Sequence, residues 1–142
     1  MSAWTEFSVD AVLNAMPTDM GNLYRSWVEG NPSKTNRLAE LVAETMQTFR
    51  EAVAVYPWYE EPTSETAIPS TGFRHALNLV TFNLGMEIGV QFAPEVYSLF
   101  VQANIWLRMV QTGKMRPVGT TDGTGTPSYG QKSVFRSQES ER

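Results

Sequence analysis

The chain has 142 residues, 42% hydrophobic and 18% charged, with one histidine, no cysteine and a formal net charge of −4. That length suits one domain, and the apolar share is enough for a core, which excludes a wholly disordered chain. The absence of cysteine excludes disulfides, thiolate chemistry and sulfur-ligated zinc, a single histidine excludes a multi-histidine metal centre, and the acidic balance argues against a dedicated nucleic-acid binder.

No apolar run approaches the ~20 residues of a membrane span. The start, Met1-Ser2-Ala3-Trp4-Thr5-Glu6, has neither the basic n-region nor the apolar h-region of a signal peptide. The sequence therefore predicts a soluble chain made inside the cell. Its charge is uneven: residues 1–113 carry six Lys/Arg against twelve Asp/Glu, and residues 114–142 carry five against three. An acidic body with a slightly basic tail is either two surfaces with different partners or chance scatter in a short polar tail.

Helical signals follow in chain order. Ser8 is a plausible N-cap for a short helix stopped by Pro17. Met20, Leu23, Tyr24 and Trp27 then fall on one face of a second helix, ended by Gly30-Asn31-Pro32. Leu38, Leu41, Val42, Thr45, Met46, Phe49 and Val53 make the clearest stripe, capped by Ser33 and closed at Tyr56-Pro57. In the loop that follows, Trp58 and Tyr59 are expected to fold back on the core.

A fourth helix starts at Ser70 or Thr71. It carries two apolar stripes, one of Phe73, Ala76, Leu77, Val80 and Leu84, the other of Leu79, Phe82, Met86 and Val90. A helix apolar on both sides is either central in its bundle or covered by a neighbouring subunit. Gly85 in its middle costs up to ~1 kcal/mol against Ala, which a close helix crossing would explain. Pro94 opens a fifth helix with Val96, Phe100, Ala103, Leu107 and Val110 inward, widened by Trp106 and Met109, and closed by Thr112-Gly113. Leu41, Phe49, Leu77 and Leu107, each mid-stripe, are expected to be buried.

Beyond Gly113 the composition changes, with eight Gly/Pro/Thr residues between Pro117 and Thr126. Such a segment builds no core alone. It carries apolar groups at Met115, Val118, Tyr129, Val134 and Phe135, with Lys132 and Arg136 beside the last of them. It is either a segment that orders on a partner or a frayed C-terminus. The predicted fold class is all-α: a small bundle of four to five helices over residues 1–113, with an irregular docking tail over 114–142.

No catalytic, cofactor or metal constellation stands out. His75, on the polar edge of the fourth helix, has no triad partners and reads as a surface or interface residue. Glu60, Glu61 and Glu65 read as solvated loop carboxylates. Glu40 and Glu44 share a helix face without the histidine of a carboxylate-bridged metal site. The glycines from Gly119 to Gly125 lack the lysine and following helix of a phosphate loop. Neither an enzyme nor a cofactor is expected.

Three features together resemble the small helical head–tail connectors of tailed bacteriophages, also called adaptors or head-completion proteins. They are the long helix Leu38–Val53 running into Tyr56-Pro57; the loop ending Ala67-Ile68-Pro69 before Phe73-x-x-Ala76-Leu77; and the last helix, Ala103-Asn104-Ile105-Trp106-Leu107-Arg108-Met109-Val110-Gln111-Thr112-Gly113-Lys114. The likeness spans roughly residues 33–118 and rests on order and spacing. It implies a virion structural protein at the head–tail junction. Its subunits would form a ring, usually of twelve, under the portal, passing genomic DNA and receiving the tail or next neck protein, with the C-terminal tail on the portal or an adjacent subunit. Under that expectation Leu79, Phe82 and Met86, or alternatively Trp106 and Met109, meet a neighbouring subunit, and Met115, Val118, Tyr129, Lys132, Val134, Phe135 and Arg136 are the docking candidates. A DNA-packaging or regulatory helical protein, such as a small terminase-like subunit, is the alternative.

Overall fold

The computed structural model describes residues 3–117. Five α-helices dominate: α1 (Val9–Ala15), α2 (Thr18–Gly30), α3 (Arg37–Ala54), α4 (Phe73–Ile88) and α5 (Pro94–Gln111). Two three-residue strands, β1 (Trp4–Glu6) and β2 (Ala67–Pro69), pair antiparallel with Trp4 opposite Pro69 and Glu6 opposite Ala67. The fold is all-α with this one small ribbon.

Local chemistry sets most of the boundaries. The Ser8 hydroxyl accepts the Ala11 N–H at 3.2 Å, capping α1, and Pro17 ends that helix region. Ser33 does not cap α3. It lies within a 3₁₀ turn, Pro32–Lys34, and α3 begins at Arg37 after Asn36, which makes no side-chain cap bond. A second 3₁₀ turn, Ser70–Gly72, leads into α4. Gly89 closes α4 in the left-handed conformation at φ 97°, its N–H donating to the Gly85 carbonyl at 2.9 Å. Pro94 takes the first turn of α5, where its missing N–H costs nothing.

Helix α4 is central, packed against α2, α3 and α5. Most of both apolar stripes is therefore consumed within the chain, with Met86 of the second left exposed. Ala76, Leu77, Val80 and Leu84 are buried, and so are Leu79 and Phe82. Leu41 and Phe49 are buried too, whereas Leu107 is only half-buried against the main core. Trp106 fills the adjoining space, stacked on Phe49 with ring centroids 5.7 Å apart.

Gly85 has a different explanation from a helix crossing. The Phe92 ring, from the connection between α4 and α5, lies 2.1 Å from where a Cβ on Gly85 would sit. That ring stacks on Phe82 at 5.1 Å, and Phe82 in turn stacks on Phe100 at 4.1 Å. The glycine thus makes room for an aromatic column joining α4 to α5.

The ribbon and the loop after α3 form a second apolar cluster around Trp4, Ala52, Val53 and Val110. Trp58 and Tyr59 both turn back onto the body. The Tyr59 hydroxyl donates to the Ala3 carbonyl at 3.0 Å, and Trp58 Nε1 donates to the Pro117 carbonyl at 3.4 Å. Arg50 reaches from α3 to the Ser64 and Ala67 carbonyls at 3.1 and 2.8 Å, tying loop and ribbon to the helix.

Candidate functional site

Two ion pairs among the described residues are structural. Arg37 forms a fork with Glu87, its Nε 2.8 Å from Oε2, and also reaches Glu40 at 3.1 Å, linking α3 to the end of α4. This pairing holds the Glu87 carboxyl below its ordinary range. Among the described residues no group of three His, Asp or Glu side chains is placed to hold a metal ion, and no helix is long and apolar enough to cross a membrane.

His75 is half-buried, not a surface residue on a polar edge. Its ring stacks on Trp106 at 5.2 Å, and its Nδ1 is buried with no hydrogen-bond partner among the described residues. Burial disfavours the imidazolium and lowers the pKa from its ordinary 6.5. The unfolded chain therefore binds more protons than the folded one between the two values, so stability rises with pH through that window. Glu87, lowered from 4.5, adds its own rise of stability with pH only up to about that value. The melting temperature should climb as pH rises toward 6.5, and His75→Phe should flatten that climb. An equal slope in parent and variant would show that other groups cause it.

A cleft of about 450 Å³ opens between the end of α3 and its following loop, walled by Trp4, Tyr56 and Tyr59 and rimmed by Glu51, Glu60 and Glu61. Trp4 Nε1 is bonded to the Glu60 carbonyl and the Tyr56 hydroxyl to the Val110 carbonyl, so the aromatic polar tips are already used. The cleft holds no nucleophile paired with a base. An apolar groove of about 400 Å³ lies between α2, α4 and α5, with Leu23 and Leu99 on its lining.

A further feature is the outward side of α5. Tyr97, Val101 and Ile105 recur every four residues, 46%, 52% and 52% exposed. Toward the C-terminal end this ridge continues into a shallow groove of about 340 Å³, lined by Val101, Ile105, Met109, Arg108 and Lys114 among others, with no acidic side chain. The cations lie where the helix dipole favours them.

The structure places the sequence-derived interface residues unevenly. Leu79 and Phe82 are interior and present no free surface. Met86 is 52% exposed, Met109 half-buried at the α5 groove, and Trp106 half-buried between Phe49 and His75. Met115 packs on the second apolar cluster, and the Arg116 guanidinium lies 4.0 Å over the Trp58 ring, so the chain stays on the body past residue 113. Val118, Tyr129, Lys132, Val134, Phe135 and Arg136 lie outside the described residues. Sequence reading missed the ridge of Tyr97, Val101 and Ile105. Its signal was the four-residue recurrence of large apolar groups away from the inward stripe of Val96, Phe100, Ala103 and Val110.

No family model, curated protein or solved structure matches the chain.

Proposed function

We propose that the chain is a structural head–tail connector of a tailed-phage virion. It forms a ring, of twelve copies by the family likeness, under the portal. It extends the DNA channel and offers a platform to the tail or next neck protein. The observation that carries this reading is the apolar ridge of Tyr97, Val101 and Ile105, left open on a helical body. An exposed apolar ridge of this kind is a mark of protein–protein contact. The excess of acidic over basic residues suits a DNA channel, since like charge lets DNA pass without sticking.

The DNA-binding alternative needs a recognition helix rich in free cations, and α5 offers only Arg108, with Lys114 just beyond its end. On α3 both cations are engaged, Arg37 with Glu87 and Glu40, Arg50 with two loop carbonyls, and Glu44 and Glu51 stand exposed beside them.

Capture by the phage's portal protein tests the connector reading. Full-length chain, a chain truncated after Pro117 and Phe135→Ala should be compared. The cut follows Pro117 because Met115 and Pro117 pack on the body. Full-length protein should be retained and the truncated form lost, with Phe135→Ala weakened. Equal capture of all three would assign docking to the helical body, and no capture of the full chain would overturn the reading.

A further inference from the structure

We propose that the outward face of α5 binds the outward face of α3 on a second copy of this chain. The inference rests on the ring reading for self-association and names the two surfaces that make the contact.

The two faces match in length, relief and charge. On α5, Val101, Ile105, Arg108 and Thr112 line the open groove, which therefore spans about eleven residue steps, or ~16 Å, along the helix. On α3, Glu40, Glu44, Gln47 and Glu51 recur at three- and four-residue steps on one exposed stripe of the same length. Exposed Ala43 and Ala54 flank that stripe, so a ridge of Val and Ile side chains can approach the backbone closely. The α5 groove carries Arg108 and Lys114 with no acid, and neither cation makes an ion pair among the described residues. The α3 stripe carries three carboxylates: Glu40 is paired with Arg37 at its edge and Glu51 accepts a hydrogen bond from Gln47, while Glu44 and Glu51 make no ion pair among the described residues.

Charge selects the partner. Residues 3–117 hold eight Lys/Arg against twelve Asp/Glu, so a cationic groove is the exception on this body. Every copy already bears a complementary acidic helix face. The apolar ridge supplies area removed from water, and the charges set register and orientation. Because the contact joins two unlike surfaces, each copy that has bound one neighbour still has one surface of each pair to offer. The assembly then grows past two copies and closes into a ring where the rotation permits.

Light scattering on four samples tests the contact: the parent, Val101→Asp with Ile105→Asp, Glu44→Lys with Glu51→Lys, and an equal mixture of the two variants. All four positions are exposed, so circular dichroism should match the parent in each. The parent should exceed a dimer, and each variant alone should run as monomer. The mixture should associate, because the intact α3 face of one variant meets the intact α5 face of the other. A charge-only pair gives an independent reading. Arg108→Glu with Lys114→Glu should lose assembly alone and regain masses beyond a dimer when mixed with Glu44→Lys/Glu51→Lys. A monomeric parent, a variant that assembles like the parent, or a mixture that stays monomeric would each overturn the contact. Portal capture reads the connector function separately: a monomeric chain still captured by portal would sink this interface and leave that reading standing.

Discussion

Replacing Phe49 by alanine should lower the unfolding free energy by about 3–5 kcal/mol and the melting temperature by roughly 10–20 °C. Phe49 is 1% exposed on α3, and its ring stacks on Trp106 of α5. It also sits 2.8 Å from the place a Cβ on Gly72 would occupy, at the entry to α4. One side chain thus joins three helices at a point where the backbone has made room for it. Neither neighbour can easily refill the space. Trp106 is held between Phe49 and His75, and Gly72 has no side chain to advance. The cost combines lost transfer energy with an unrelieved cavity, the condition that gives large-to-small changes their upper values. Thermal melts followed by circular dichroism measure it, and a fall of less than about 3 °C, under 1 kcal/mol, would show that the three-helix junction is not where the core is tight.

Phe7→Ala should be nearly as damaging, again about 3–5 kcal/mol, although Phe7 lies in no helix and belongs to no apolar stripe. Its side chain is fully buried in the main cluster, and its ring meets Phe73 edge-on at 5.9 Å. Its N–H donates to the Thr66 carbonyl at 2.7 Å, continuing the β1–β2 ribbon. Glu6 adds to this hold by accepting hydrogen bonds from the Ser64 and Thr66 hydroxyls. Losing the ring should loosen the ribbon and the loop that Arg50 binds, as well as leave a hole. Urea denaturation should show the loss. A change below about 1 kcal/mol, the centre of ordinary point-mutant effects, would make residues 3–7 a loose arm on a body that is complete without them.

The five helices were legible in the sequence because their signals are local. An amphipathic period and a few punctuating residues act within one or two turns: the Ser8 hydroxyl, the rings of Pro17 and Pro94, and Gly113, which adopts φ 78° after α5. The stripe of α3 was equally readable, since Leu38, Leu41, Val42, Phe49 and Val53 all lie buried on it. Ser33 fails as a cap because the 3₁₀ turn Pro32–Lys34 takes it up, and α3 begins only at Arg37, after Asn36, with no side-chain cap.

The remainder was decided by contacts between residues far apart in the chain. Strands of three residues have no measurable period, so β1 and β2 exist only because Trp4 and Pro69 are brought opposite each other. Periodicity gave α4 two apolar faces but could not say what covers the second, and packing answered with Phe92, Phe100 and the cleared space at Gly85. That same packing took Phe82 out of the candidate surface and left Val101 and Ile105 in it. Both groups are large, apolar and helically spaced. Hydrophobicity fixes how much each gains by leaving water, but only the tertiary arrangement determines which has a neighbour within its own chain to leave it for.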